Sequence, residues 1–222
     1  MKRTKPARPD DARQGTPLAP NGRGLSPKAE EIAYDVFPKY VTSSDVVIEV
    51  GANIGGSTLL LSDLAKFVYA FEPNPSVFDE LKRSTAARRN VEVHNLGVGA
   101  VNEVAAFNLP HPDGSTRGSR FVIEGGTYVG KIDVKIVRLD DFNFGLPPTV
   151  LVLDCEGSEI PVLEGARAML STGAVGKVLA EMHYLADGSD TIEPTKRKLG
   201  SFGYRTETKT APDGSPWILA RR

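Results

Sequence analysis

The sequence predicts an α/β fold of the doubly wound type, with helices on both faces of a mostly parallel sheet. A β-branched run at residues 46–50 stops at Gly51, and a helical pattern opened by Ser57 and Thr58 follows. A second strand, residues 67–71, then ends in the acid Glu72. This order is the first half of a nucleotide-binding unit, in which glycine lets the backbone approach a ligand and the acid binds ribose hydroxyls.

The residues around the glycine turn indicate a cationic nucleoside rather than a dinucleotide. Dinucleotide sites carry G-x-G-x-x-G, whereas here Gly51 and Gly55 flank Asn53 and Glu49 precedes them. An anionic Glu49 would repel a pyrophosphate but is able to hold an ammonium or hydroxyl group. S-adenosylmethionine fits, with its amine at the acidic loop and its ribose at Glu72. The alternative is that both acids are solvated residues that end two strands.

Length and charge favour one domain preceded by a basic tail. A chain of 222 residues can bury one sizeable core, and a formal net charge of −1 gives no overall nucleic-acid signature. Residues 1–25 are basic, rich in Pro and Gly and without apolar periodicity, so we expect a disordered tail there and a single domain at residues 26–222. The tail is expected to be solvated, with contact to RNA or anionic lipid as the alternative.

Other classes are disfavoured by what the sequence lacks. It shows no secretory leader and no run of about 18 apolar residues, so neither secretion nor a membrane span is expected. Its single cysteine, Cys155, excludes an intrachain disulfide framework and a cysteine-based zinc cluster. A cytoplasmic location is therefore expected.

The chain continues in the order βαβαβ, insertion, βαβα and β-hairpin. The predicted sheet thus ends in an antiparallel C-terminal hairpin and has a β insertion, at about residues 101–144, before the fourth core strand. The insertion is expected over the carboxyl ends of the strands, where ligands bind in open α/β sheets. Helices are predicted at residues 26–40, 57–66, 76–88, about 158–170 and 191–199; further strands are predicted at 91–96, 104–109, 121–124, 127–138, 149–154, 175–183, 204–209 and 217–220.

Four segments in fixed order closely resemble the FkbM family of S-adenosylmethionine-dependent methyltransferases, and the resemblance covers about residues 45–184. The segments are Glu49-Val50-Gly51-Ala52-Asn53-Ile54-Gly55, Phe71-Glu72-Pro73-Asn74-Pro75, Leu139-Asp140-Asp141-Phe142 and Leu153-Asp154-Cys155-Glu156-Gly157-Ser158-Glu159. This resemblance implies a Rossmann-like class I methyltransferase fold and O-methylation of natural-product or sugar hydroxyls. The sequence differs from the family at Cys155, where the family often has an aliphatic residue.

The resemblance also implies two groups of site residues. Cofactor-binding residues are expected to be Glu49, Gly51, Asn53, Gly55, Glu72 and Asp154. Strand ends that face the substrate are expected to carry Asp154, Glu156, Glu181 and His183.

Transfer to a hydroxyl requires alignment of the nucleophile with the methyl group and a base for the proton. The candidate catalytic residues are His183, whose imidazole titrates near neutral pH, then Asp154 and Glu181. His183 is equally able to serve as a hydrogen-bonding group at a strand end. No metal is predicted, although Asp154 and Glu156 leave a divalent cation as an option, and capping of the following helix is the structural alternative.

Three remaining residues are expected to have no catalytic role. A nucleophilic Cys155 is disfavoured because neighbouring acids raise a thiol pKa. His94 and His111 are expected at the surface or in loops.

The sequence therefore predicts an S-adenosylmethionine-dependent O-methyltransferase acting on a small molecule, natural product or sugar. Alternatives are a methyltransferase acting on RNA or protein, with the basic tail as a docking arm, and a non-catalytic nucleoside-binding module. Specificity for a small-molecule or glycan acceptor is expected to lie in the insertion and in the N-terminal helix.

Overall fold

The computed structural model describes residues 36–109, 120–121, 130–183, 189–211 and 214–222. Residues 36–40 are helical, as expected from the first predicted helix. The basic tail, the beginning of that helix, and His111 lie outside the described residues.

A seven-stranded sheet forms the centre of the molecule, with the spatial order β10-β11-β9-β8-β1-β2-β3. Every neighbouring pair is parallel except the two made by β11, which is antiparallel to both β9 and β10. These strands are β1 (Val46–Val50), β2 (Phe67–Phe71), β3 (Val91–His94), β8 (Val150–Leu153), β9 (Lys177–Glu181), β10 (Arg205–Thr210) and β11 (Pro216–Arg221). The antiparallel C-terminal hairpin is thus present as predicted.

Helices cover both faces of this sheet. They are α1 (Gly56–Leu64), α2 (Pro75–Thr85), α3 (Glu159–Gly165), α4 (Arg167–Thr172) and α5 (Ile192–Ser201). Successive strand side chains point to opposite faces. Ile48 therefore packs in the core formed with α3, α4 and α5, whereas Val47 packs with α1, α2 and the helical residues 36–40. The doubly wound fold class is confirmed.

A second, four-stranded sheet occupies the position of the predicted insertion. It has the order β4-β7-β5-β6 and consists of β4 (Gly97–Val98), β5 (Glu103–Leu109), β6 (Arg120–Phe121) and β7 (Gly130–Val137). Strand β5 pairs antiparallel with β7 over the whole length of β5, and Phe107, Val134 and Ile136 form a small core.

This sheet begins earlier than the insertion that we predicted, because Gly97 and Val98 pair in parallel with β7. The expected third core strand correspondingly ends at His94. There the Asn95 side-chain amide donates hydrogen bonds to the carbonyls of Glu72 and Pro73, at 2.9 and 3.0 Å, and the chain leaves the main sheet.

We predicted a single helix after the fourth core strand, and this prediction is wrong. The chain forms two helices there, α3 and α4, which meet at Ala166. Gly165 packs so tightly that a Cβ there would lie 2.0 Å from the Gly99 carbonyl oxygen. The Asp140 carboxylate accepts hydrogen bonds from the backbone N–H groups of Ala168 (2.7 Å) and Met169 (3.1 Å). Asp140 thus caps the start of α4 from another part of the chain.

His94 is not the surface residue that we expected. Its ring stacks on Phe71 and lies edge-on to Phe142, with ring centroids 4.9 Å apart in both pairs. Burial lowers its pKa below the ordinary histidine value. His94 and Phe142 therefore hold the chain after the second sheet against β2.

Candidate active site

One pocket opens at the carboxyl ends of β1, β2 and β8, which meet at one edge of the sheet. Three of its lining residues, Glu72, Asp154 and Glu156, are acids, and the described part of the lining contains no lysine or arginine. The lining comprises Val50, Gly51, Asn53, Glu72, Pro73, Leu96, Gly97, Val98, Phe107, Asp154, Cys155, Glu156 and Ser158. An anionic pocket of this kind favours a cationic ligand.

Gly51 forms the floor of the pocket where the loops after β1 and β8 touch. Its φ is +92°, and an added Cβ would lie 1.8 Å from the carbonyl oxygen of Asp154. The N–H groups of Gly51 and Ala52 both donate to the Phe71 carbonyl at 3.0 Å. Only glycine satisfies both the conformation and the contact, so this position keeps the backbone close to any ligand above it.

Glu72 follows β2 and binds the loop that it faces. Its carboxylate accepts hydrogen bonds from the backbone N–H of Asn53 (3.0 Å), which has a φ of 51°, and of Asn74 (2.8 Å). Burial raises the pKa of Glu72 to about 7, against the lowering effect of those two hydrogen bonds. Each carboxylate oxygen is able to accept more than one hydrogen bond, so Glu72 retains capacity for ribose hydroxyls.

Glu49 lies outside the described lining of the pocket. Its side chain is 2% exposed, and its oxygens accept hydrogen bonds from the hydroxyls of Thr58 (2.6 Å) and Ser57 at the start of α1. Burial raises its pKa to about 7. In this structure Glu49 thus holds the start of α1 through these two hydrogen bonds.

Gly55 also serves helix packing rather than the described pocket. It lies at the N-cap of α1 with a φ of 98°. A Cβ there would be 2.5 Å from the Ser84 hydroxyl oxygen and 2.9 Å from a Leu81 methyl carbon. The absence of a side chain at Gly55 therefore lets α2 approach α1.

His183, Asp154 and Glu156 converge at one side of the pocket. His183 Nε2 lies 3.4 Å from Asp154 Oδ1 and 3.8 Å from Glu156 Oε2. The other ring nitrogen, Nδ1, lies 3.0 Å from Oε1 of Glu159, which is fully buried. Four groups from the loop after β8, the start of α3 and the end of β9 are thus brought together.

The protonation of His183 follows from these neighbours. Burial lowers its pKa, but the neighbouring carboxylates of Asp154, Glu159 and Glu156 outweigh burial and raise it to about 11. His183 is therefore a cation at neutral pH in this arrangement and has no free site for a hydroxyl proton. This state disfavours the general-base assignment, whereas the Asp154 carboxylate is 50% exposed and faces the pocket.

Glu181, the third candidate catalytic residue, lies apart from this group, and Cys155 was expected to have no catalytic role. Glu181 ends β9 opposite Trp217 and is not among the described residues that line the pocket. Cys155 lines the pocket, but burial and the carboxylates of Glu159 and Asp154 raise its pKa well above the ordinary thiol value. A thiolate nucleophile is thus disfavoured, as the sequence indicated.

Glu159 was missed as a site residue. The signal that could have identified it is its helical spacing: Glu159 precedes the fully buried Val162, Leu163 and Ala166 on one face of the helical stretch. An acid on a buried face requires a partner, and His183 is that partner. Phe107 was missed because no local pattern shows that β5 reaches the pocket.

The doubly wound sheet and the acidic pocket at the carboxyl ends of its strands are those expected of a Rossmann-like methyltransferase. Residues 49–207 match the profile of the methyltransferase FkbM domain. The chain belongs to the FkbM methyltransferase family.

Among the described residues, none of the helices combines the length and the apolar character that a membrane span requires.

Two curated relatives are similar over most of the chain. Hexuronic acid methyltransferase AglP of Haloferax volcanii is 31% identical over 182 residues, which cover 80% of this chain and 71% of AglP. Ribosomal RNA small subunit methyltransferase A of Rubrobacter xylanophilus is 43% identical over 199 residues, which cover 82% of this chain and 75% of that protein.

Two solved structures share the fold. Methyltransferase FkbM from Methylobacillus flagellatus KT has a TM-score of 0.61 and 18% identity; the match covers 86% of this chain but only 47% of that one, so this chain spans about half its length. Fibrillarin from Aeropyrum pernix, in complex with natively bound S-adenosyl-L-methionine, has a TM-score of 0.52 and 16% identity, covering 86% of this chain and 73% of its own.

Proposed function

We propose that this methyltransferase modifies a hydroxyl group of a sugar or sugar acid, with hexuronic acids as the first candidates. The observation that carries the proposal is that one pocket holds both the buried Glu72 and the half-exposed Asp154. The first suits a ribose, and the second is able to bind an acceptor hydroxyl. Similarity to a hexuronic acid methyltransferase supports the choice of acceptor class.

The residues present fit S-adenosylmethionine. The space that a Cβ at Gly51 would fill is occupied by the backbone of Asp154. Glu72 offers carboxylate oxygens for ribose hydroxyls, and Leu96 and Val98 offer an apolar wall for a base. The described lining carries acids and no lysine or arginine, which suits the cofactor's ammonium and sulfonium charges. Gly51, Asn53, Glu72 and Asp154 would hold it.

When bound, the cofactor supplies a methyl group activated by sulfonium; a C–O bond forms as the C–S bond breaks, the electron pair returns to sulfur, and the hydroxyl proton is released. Asp154 would orient the acceptor hydroxyl and accept its proton, since it is the exposed carboxylate of the group. His183 would hold Asp154 in place through the contact at 3.4 Å. Positioning of the two reactants then supplies much of the rate enhancement.

Acceptor panels and cofactor titration together test the proposal. The purified protein is incubated with methyl-labelled S-adenosylmethionine and with hexuronic acids, their glycosides, neutral hexoses and ribosomal RNA. We expect label in the hexuronic acid fraction, as a methyl ether located by mass spectrometry. Label confined to RNA, or cofactor binding without transfer to any acceptor, would contradict it; the second outcome favours the non-catalytic nucleoside-binding alternative.

A Glu72→Gln variant tests the cofactor site within the same experiment. Glutamine has one acceptor oxygen in place of two, so it is unable to keep both backbone contacts and bind a ribose. We expect the affinity for S-adenosylhomocysteine to fall more than about tenfold by calorimetry. Glu92→Gln, which changes a largely exposed acid on β3, is the matched control and should bind like wild type.

Methylation of RNA is the second candidate function, because one relative is a ribosomal RNA methyltransferase with 43% identity. In that case the basic residues 1–25 would serve as a docking arm for phosphates. Removal of residues 1–25 should then weaken RNA binding and reduce its salt dependence. An unchanged salt dependence would exclude this role of the tail.

A further inference from the structure

We propose that Asp154, Glu156 and His183 form a divalent-cation site at the edge of the pocket, and that the cation binds an anionic acceptor there. One ligand atom from each residue, two carboxylate oxygens and a ring nitrogen, lies within 4.8 Å of the others. Neighbouring ligand atoms around a six-coordinate cation with bonds of about 2.1 Å are about 3 Å apart. Only small side-chain shifts would therefore close the three atoms around an ion, and Asp154 would use one carboxylate oxygen for the ion and keep the other for the acceptor hydroxyl.

The contacts within this group suit a shared cation better than direct hydrogen bonds. His183 Nε2 is 3.4 Å from Asp154 Oδ1 and 3.8 Å from Glu156 Oε2. Both distances exceed those of ordinary N–H···O hydrogen bonds, which are about 2.7–3.2 Å long. Two carboxylates held near one nitrogen at such distances leave room for an ion between them.

Glu159 gives His183 the orientation that a metal ligand requires. Its Oε1 lies 3.0 Å from His183 Nδ1 and also accepts a hydrogen bond from the Gly157 N–H at 3.1 Å. Metal-bound histidines commonly donate their second ring N–H to such a carboxylate, which fixes the ring and the tautomer. Here this contact directs Nε2 toward Asp154 and Glu156, and a cation that binds there would displace the Nε2 proton, as metal ligation requires.

The backbone after β8 is bent so that both acids reach the same place. Glu156 has a φ of 52° and Gly157 a φ of 97°. A left-handed conformation is unfavourable for a glutamate, and such strain is concentrated at functional sites. An ordinary extended continuation of the strand would not make this turn. The turn and the contact with His183 together locate the Glu156 carboxylate beside Asp154.

Three protein ligands leave the remaining positions of a six-coordinate ion to water or to the acceptor. Asp154 and Glu156 line the pocket, so these positions would face it. A hexuronate is itself anionic, and the acids at positions 72, 154 and 156 would repel it without a cation. This part of the inference rests on the proposed function. Two carboxylates suit Mn²⁺ or Mg²⁺, and the imidazole favours Mn²⁺ over the harder Mg²⁺.

The test is direct measurement of Mn²⁺ binding to the 222-residue protein after dialysis against a chelator. Loss of the free Mn²⁺ signal in electron paramagnetic resonance should show about one bound ion per chain. We expect Glu156→Gln and His183→Gln each to weaken Mn²⁺ binding at least about tenfold. Glu92→Gln is the matched control, because it also removes an acid that contacts a histidine, His94, at 3.3 Å, but outside the group.

Calorimetric titration with S-adenosylhomocysteine on the same samples separates the two proposals. Variants that bind the nucleoside but not Mn²⁺ are folded and support the site. Wild type that binds the nucleoside and no Mn²⁺ overturns the cation site alone, as do variants that bind Mn²⁺ like wild type. Wild type that binds Mn²⁺ but neither binds S-adenosylhomocysteine nor transfers methyl groups supports the site and overturns the proposed function.

Discussion

The α-carbon of Gly51 lies directly against the main-chain carbonyl of Asp154, so that an added Cβ would be 1.8 Å from the carbonyl oxygen. This contact joins the loop after β1 to the loop after β8. Since both loops line the pocket, the position of Asp154 depends on the absence of a side chain at Gly51.

Gly51→Ala is expected to lower cofactor affinity and stability together. The new methyl group would displace the loop after β8, and the φ of +92° would add strain of about 1–3 kcal/mol. Calorimetry should show S-adenosylhomocysteine affinity reduced more than about tenfold. Gly214→Ala is a matched control, because Gly214 also has a φ of +92° but open space around it. Similar losses of affinity in both variants would contradict the steric explanation.

Glu49 should make stability depend on pH. Its pKa is raised from 4.5 to about 7, so the folded protein holds the proton more tightly than the unfolded chain. The stabilisation is complete below pH 4.5 and is lost as the pH rises through about 7. Urea unfolding of Glu49→Gln should therefore show a weaker fall in unfolding free energy between about pH 5 and about pH 8 than wild type.

Some pH dependence should remain in Glu49→Gln, because the pKa of Glu72 is also raised to about 7. Glu193→Gln changes a glutamate whose side chain is 61% exposed and should keep the wild-type pH profile. A wild-type profile in Glu49→Gln would show that Glu49 is not the buried acid described above.

Asp140→Ala should destabilise the fold and leave the pocket intact. It removes the acceptor for the N–H groups of Ala168 and Met169, a loss of about 0.5–2 kcal/mol for a helix cap. Chemical unfolding measures this change, and S-adenosylhomocysteine affinity should not change. Asp141→Ala removes an exposed ion pair with Arg138 and an exposed hydrogen bond from Asn102, and it should destabilise less. The reverse order of the two variants would exclude the capping role.

Cys155 should react slowly with alkylating reagents, because burial and neighbouring carboxylates raise its pKa. As the only cysteine in the chain, it accounts for all thiol labelling. Mass spectrometry should show slow modification of the native protein by iodoacetamide near neutral pH and ordinary rates after unfolding in urea. Fast labelling of the native protein would indicate a thiolate and reopen a nucleophilic role.

Local sequence patterns were sufficient for the core of the fold. The β1–α1–β2 unit could be predicted because its strands, glycine turn and helix each carry their own short-range pattern. The division between α3 and α4 could not, because it depends on the contact of Gly165 with Gly99 and on capping by Asp140, which lie far away in the sequence.

The same distinction applies to the site. Glu72 and Asp154 follow strands that meet at one edge of the sheet, so sequence alone could bring them together. The direction of a side chain is set by its tertiary partners. Glu49 turns toward the hydroxyls of Ser57 and Thr58, and His183 is oriented by Glu159. Neither orientation has a signature in strand or helix periodicity.

Strand β4 gives the second sheet a consequence for engineering. Val98 on β4 and Phe107 on β5 both line the pocket, and β7 lies between these strands in the sheet. A hairpin exchanged to accept a different substrate would therefore also move the wall against which the cofactor is expected to lie. A grafted hairpin should therefore keep the pairing of Gly97 with Ile136 and of Val98 with Val137. If this pairing is lost, the substrate preference and the cofactor affinity of the enzyme would change together.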